Sequence, residues 1–279
     1  MSDESAAVEQ ARRRIAALWG QAPAPTRGRP ARITRDEVIE AGIALADAEG
    51  LDAVSMRSVA RRLEVGAMTL YSHVDGRREL LDAMVDRAYA DFTIPDPDLP
   101  WRAGLERYAR EMWAHRRRHP WLADVNAWRL PLGPHVFDVE EAGYRTLVDT
   151  GLSARRVAEI VGVVQNFVLG FARSVAAEEA EARDEGIDYE TYWRSTSDFW
   201  EHYFDPERYP SMTRLWSSGA FDEDQGPFDV PLSGLLDTIE VLIERAQAEG
   251  ASPIPSYEDC MARYDEEVAR QIEEFEGKA

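Results

Sequence analysis

The chain has 279 residues, 44% of them hydrophobic, with 52 acidic and 32 basic side chains and a formal charge of -20. That length and apolar content provide a real core for one large domain or two smaller ones. A single cysteine, Cys260, excludes an intramolecular disulfide and points to a reducing compartment. The first residues lack the basic start and apolar run of a secretory signal, and no apolar run is expected to span a membrane, so a cytoplasmic location is expected.

The charge is unevenly divided. Residues 1–78 hold 12 basic and 11 acidic side chains, and residues 79–279 hold 20 and 41. An acidic body either repels DNA phosphates except where a basic head is presented, or simply keeps the chain in solution.

In chain order, residues 5–20 are helix-prone, with Val8, Ala11, Ile15, Leu18 and Trp19 on one face. They read either as a docking helix or as a mobile terminus, and the mobile terminus is the expectation. Residues 21–31 form a Pro-rich linker containing Arg27-Gly28-Arg29-Pro30, which resembles the core of an AT-hook. Its arginines suit a narrow minor groove, with glycine allowing close approach and proline holding extension.

Thr34 and Glu37 form a capping box that starts a helix ending at Glu49-Gly50. Ser55 caps a second helix, and a break near Glu64–Gly66 separates it from a third, Ala67 to His73. Val38, Leu45, Val59, Leu63, Leu70 and Tyr71 are the expected core of these three helices. A helix as short as the third needs bracing by its neighbours. Its polar outer face, with Thr69, Ser72 and His73, suits a DNA groove better than catalysis. Arg78 to Phe92 continues as a helix and stops before Pro95-Asp96-Pro97.

The remainder is helical, without strand-like alternation. Expected helices are Arg102–His119, Phe137–Thr150, Ala154–Arg183 and Phe228–Ala248, with a loop over 129–136. Residues 184–228 mix aromatic and acidic character, and 252–279 end in an acidic helix that either wraps a partner subunit or projects freely. The 154–183 and 228–248 helices are too apolar all round to be surface helices, and they predict a twofold four-helix interface.

The run from Ala44 to Met84, with its Gly50-Leu51 and Val54-Ser55-Met56-Arg57 core followed by Thr69-Leu70-Tyr71-Ser72-His73-Val74, resembles the DNA-binding domain of the tetracycline-repressor (TetR) family. It departs from the family at Glu64, where a glycine usually follows the leucine. The resemblance implies an all-α chain: an N-terminal three-helix helix-turn-helix domain and a larger helical ligand-binding and dimerisation domain. The divisions expected are 1–31 extension and basic arm, 32–78 DNA-binding domain, 79–250 ligand-binding and dimerisation domain, and 251–279 acidic extension.

The same resemblance assigns Arg57 to a base edge, where a bidentate contact to guanine would be its chemistry. Ala67 and Met68 begin the recognition helix and would contact thymine methyls. Thr69, Tyr71, Ser72 and His73 contact backbone or base edges, and Arg77 anchors a phosphate. The 78–92 helix couples head to body.

For the body, an apolar pocket with a few polar groups is the usual small-molecule site. The expected lining is Trp113, Trp121, Trp128, Phe137, Tyr144, Phe167 and Phe171, with His135, Asn126, Gln165, Asn166 and Arg173 as polar groups. The acidic body favours a neutral or cationic ligand. No nucleophile elbow, P-loop or dinucleotide fingerprint is evident, and His115 and His119, though spaced i, i+4 as metal ligands can be, have three arginines between them and no accompanying glutamate, so neither an enzyme nor a cofactor is expected. The reading is a homodimeric regulator, most simply a repressor, that binds a palindromic double-stranded operator and is released by a small-molecule effector. A body that binds a protein instead, or a helical enzyme, are the alternatives.

Overall fold

A computed structural model describes residues 3–20, 33–125, 130–186, 189–220, 228–250 and 254–276. Arg27, Arg29, Asn126 and Trp128 lie outside the described residues. All regular elements among those described are helical. They are α1 (Asp3–Leu18), α2 (Arg35–Glu49), α3 (Met56–Arg62), α4 (Ala67–Leu70), α5 (Arg77–Tyr89), α6 (Trp101–Arg118), α7 (Pro134–Arg145), α8 (Ala154–Glu185), α9 (Tyr189–Ser195), α10 (Ser197–His202), α11 (Pro210–Ser217), α12 (Asp229–Glu249) and α13 (Tyr257–Glu276). Two 3-10 turns, Leu51–Ala53 and Pro120–Ala123, join α2 to α3 and follow α6.

The local signals for helix starts operate as the sequence indicates. Thr34 accepts from Glu37 N while the Glu37 carboxylate reaches back to Thr34 N at 2.6 Å. Ser55 caps α3 reciprocally with Ser58, and Ser153 caps α8. Each satisfies amide groups that have no partner inside the helix.

One continuous core runs through head and body. Val38, Leu45, Val59 and Leu70 fill the head, and Leu80, Met84 and Ala88 of α5 carry the apolar packing toward Leu105 and Tyr108 of α6. Leu63 is only half-buried and Tyr71 is exposed, so Tyr71 is not the core residue expected from the sequence. The α2–α5 crossing is close because Gly42 has no side chain: a Cβ there would lie 2.7 Å from the Met84 sulfur.

Several boundaries differ from expectation. α4 stops at Leu70, and 71–73 are turn residues, because four residues of helix suffice to insert Leu70 fully into the core. That burial contributes roughly 2 kcal/mol. α7 begins at Pro134, inside the expected loop, because Asp86 caps its first turn. α1 packs on α5 through an Arg14–Asp82 ion pair at 3.0 Å and is no loose terminus. The Ala154–Ala182 stretch of α8 is by length and composition apolar enough to cross a membrane, which corrects the expectation that no segment would be. Its Val157, Ile160, Val161, Val164 and Val168 are buried, and α8 packs on α6 and α7.

Head and body are pinned by polar contacts that are buried on the body side. Asp47 of α2 accepts from Trp121 Nε1 at 2.7 Å and meets His119 Nδ1 at 2.9 Å. His115 Nε2 lies 2.8 Å from the Ala88 carbonyl. Burial, the dominant cause, pulls the His115 pKa down from 6.5 to about 4. A lowered histidine pKa means the unfolded chain takes the proton first. Its stabilising effect is complete above pH 6.5 and disappears as pH falls toward 4, by about 3 kcal/mol. Asp82 and Glu140, raised by burial, act in the opposite sense, since their effect is present at low pH and fades as they ionise. Urea unfolding at steps from pH 7 to 4 is therefore expected to show a loss that His115→Gln largely removes; parallel curves for the two proteins would refute the assignment.

Candidate DNA-reading surface and effector cavity

α3 and α4 meet in a tight turn built on Glu64. Its φ of 55° is the one positive value among described non-glycine residues. Val65 N donates to Ala60 O at 3.0 Å and Glu64 N to Arg61 O at 3.2 Å. These bonds form a Schellman cap, whose left-handed position normally takes glycine. The turn leads directly into α4. Met68 is 80% exposed, while Thr69, Tyr71 and Ser72 are exposed and Ala67 and His73 are half-buried. Ser72 Oγ donates to the Thr69 carbonyl at 2.7 Å, which fixes its rotamer. Arg57 at the start of α3 is exposed, as are Arg61 and Arg62.

Arg77, expected to anchor a phosphate, also makes hydrogen bonds within the head. Its Nε donates to Val54 O at 2.8 Å and its Nη2 to Leu51 O at 3.3 Å. The guanidinium thus braces the α2–α3 connection against the start of α5.

Below the head, α5, α6, α7, α8 and the chain from Leu130 to Leu132 border a half-open cavity of about 330 Å³. Phe137, Gln165 and Asn166 line it as expected. Tyr89, Met112, Arg116, Leu130, Pro131, Leu132, Val136, Glu140 and Leu169 complete it, none of them anticipated. Their signal was present as i, i+4 pairs on successive helices: Met112 with Arg116, Val136 with Glu140, Gln165 with Leu169. The spacing alone does not say which face of each helix turns inward.

The other expected lining residues among those described go elsewhere. Trp113, Phe167 and Phe171 cluster around Phe228, with the Trp113 and Phe228 rings stacked at 4.8 Å. Tyr144 is largely exposed beside Glu140. His135 Nδ1 lies 2.9 Å from Asp86, Trp121 is buried against Asp47, and Arg173 donates to the Ala123 carbonyl.

Cavity polarity comes from few groups. Gln165 Nε2 donates to Glu140 Oε1 at 2.9 Å and to the Tyr108 hydroxyl at 3.1 Å. Burial pushes the Glu140 carboxyl above the ordinary range, toward its neutral form. Arg116 donates to Leu122 O and to the Tyr89 hydroxyl, leaving its buried Nε without a hydrogen-bond partner.

Residues 38–84 match the family described as bacterial regulatory proteins, tetR family, and residues 94–243 match the tetracyclin repressor-like C-terminal domain. The chain belongs to the tetracycline-repressor family of DNA-binding transcriptional regulators. It is 36% identical over 252 residues to the HTH-type transcriptional repressor DrrR1 of Streptomyces coeruleorubidus, covering 90% of this chain and 93% of that one. To the class D tetracycline repressor protein of Escherichia coli it is 29% identical, over 50% of this chain and 65% of that one. Among solved structures, Streptomyces coelicolor ActR in complex with (S)-DNPA is similar at a TM-score of 0.58 and 26% identity, covering 78% of this chain and 98% of that chain. Apo ActR matches at a TM-score of 0.61 and 24% identity over 81% of this chain and all of that one, a likeness of fold.

As a member of this family, the chain carries glutamate at a turn position that favours glycine. The left-handed conformation costs a side-chain-bearing residue roughly 1–2 kcal/mol. Glycine gives back part of the gain, because it leaves the unfolded chain freer. Glu64→Gly is expected to raise unfolding stability by about 0.5–1 kcal/mol, measured by urea titration, whereas Glu64→Ala, which keeps the strain, should not.

Proposed function

We propose that this chain is a homodimeric repressor whose two heads read successive major grooves of a palindromic operator and which a small molecule in the cavity releases. The observation that carries the reading is α5. It starts directly after the reading head, packs on α2 and α7, and places Tyr89 of its last turn in the cavity wall. A molecule that shifts α5 therefore shifts the head. Such a molecule releases DNA only by binding the released state more tightly. DrrR1 is called a repressor, and ActR has been solved with a bound small molecule; both support this assignment.

In the head, residues 32–78, Arg57 reads a base edge and Ala67, Met68, Thr69, Tyr71, Ser72 and His73 form the contact surface. Arg27 and Arg29 of the preceding segment add minor-groove contacts. Arg77 acts by positioning the head. The body, residues 79–250, binds the effector and the second copy. The cavity takes a molecule that is mainly apolar and bears acceptor oxygens; a cationic one, which overall acidity favours, would face Arg116.

The dimer forms through α8 and α12. Gly162, Gly170 and Gly234 on their outer faces have nothing within 4 Å of an added Cβ, and Val163 and Val241 are 54% and 44% exposed. Small residues beside exposed valines let two copies approach closely, and a helix-turn-helix reader needs two heads about one DNA turn apart.

Selection of bound sequences from random DNA tests the function: enrichment of a palindrome is expected, and failure to enrich one would refute it. On the selected operator, Arg57→Ala should weaken binding by ~1–3 kcal/mol and relax preference at one base pair. Val163→Arg should shift the protein to monomer in sedimentation and abolish operator binding together; a monomer that still binds with full affinity would refute the dimer.

A further inference from the structure

The three residues Leu130, Pro131 and Leu132 line the effector cavity, and they also line a second cleft of about 280 Å³ beneath α1. They are thus a single-layer wall between the two spaces. The other lining residues of the second cleft include Ala11, Arg14, Ile15 and Leu18 of α1, with Arg78 and Asp82 of α5.

The wall is held at both ends. On its far side Asp86 accepts from His135 N at 3.0 Å, Val136 N at 3.2 Å and His135 Nδ1 at 2.9 Å. Gly133 lies so close to that carboxylate that a Cβ would meet it at 2.1 Å. On its near side Trp19, just past α1, donates its indole N–H to the Leu132 carbonyl at 2.8 Å. The two fastenings are unequal. Asp86 is 5% exposed, while Trp19 and Leu132 are 50% and 51% exposed.

We propose that α1 is a latch on the effector cavity: Trp19 holds the Leu130–Leu132 wall closed, and a molecule filling the cavity pushes the wall outward and frees α1 from α5. The inference rests on the cavity being the effector site. The wall yields at Trp19 because water replaces a half-exposed hydrogen bond at little cost, whereas opening at Asp86 would strand buried amides and a buried carboxylate. With the wall displaced outward, Leu130 and Leu132 crowd Ile15 and Leu18, and the apolar seat of α1 is lost. The Arg14–Asp82 pair alone is a weak tether. The chain continues from Trp19 through Arg27 and Arg29 into α2. Release of α1 therefore acts by a route separate from any movement of α5. Linkage makes the effect reciprocal: loosening the latch must change ligand binding, just as ligand loosens the latch.

The probe is 1-anilinonaphthalene-8-sulfonate, whose rings suit the cavity and whose sulfonate suits Arg116. With full-length protein, saturating probe is expected to speed hydrogen exchange of the Ala11–Leu18 amides about ten-fold, the scale of losing a few net hydrogen bonds and contacts. Trp19→Phe, which keeps the ring and removes only the N–H, should tighten probe binding about five-fold, because it removes a modest hydrogen bond that the bound state has already given up. Asn166→Trp, which fills the cavity mouth, should abolish both probe binding and the exchange effect. Probe binding that Asn166→Trp abolishes, with α1 exchange and the affinity of Trp19→Phe for the probe unchanged, would overturn the latch and leave the effector cavity standing. Probe binding indifferent to Asn166→Trp would overturn both.

Discussion

The buried carboxylate of Asp86 is the constraint on which the body depends. It sits on α5 and accepts hydrogen bonds from two amides in the first turn of α7 and from the His135 ring. An anion at a helix N-terminus compensates both the orphaned donors and the helix dipole. Removing it would leave unpaired donors in a site that excludes water. Its position fixes the distance between α5 and α7, and therefore the width of the cavity they share with α6 and α8. It also makes Gly133 obligatory, because no side chain fits between that backbone and the carboxylate. The chain from Leu130 to Val136 is laid down accordingly, as cavity wall and then as helix.

The head obeys a different economy. α4 has four residues and no side-chain cap, so it cannot persist by itself. It is held by Leu70 in the core and by the Glu64 turn, with Arg77 bracing the connection before α3. Bracing from behind leaves the outer face of α4 free of intramolecular packing, which explains how Met68 stays so exposed. The charge distribution follows the same division. The head is near-neutral and the rest of the chain strongly acidic.

α8 and α12 bury one face in the core and leave Val163, Val230 and Val241 exposed among polar residues on the other. α12 packs against α6, with Arg102 and Arg110 of α6 paired to Asp237, Glu240 and Asp229 at the edge of that contact. Such exposed pairs contribute little by themselves. They orient α12 so that Leu232, Leu236, Ile239 and Ile243 turn inward while Gly234, Thr238 and Val241 face outward. The same helices thus serve the core and provide the surface proposed for a second copy.

By itself the sequence determined the helices and their starting caps, the helix-turn-helix head and its family, and the exposure of Arg57, Thr69 and Ser72. These follow from interactions within a few residues, such as Thr34 with Glu37 and Ser55 with Ser58. The mixed outcome for the cavity has an equally plain cause. Phe137, Gln165 and Asn166 were legible as lining residues, whereas Trp113, Phe167 and Phe171 proved to pack around Phe228. Helical periodicity says which residues share a face, but the rotation of that face is set by the neighbouring helices. Only the tertiary structure decided the contacts that span long stretches of chain: Arg77 with Leu51 and Val54, Asp86 with His135, and Trp19 with Leu132. Each is a polar group whose partner is chosen by packing geometry, so no local pattern announces it.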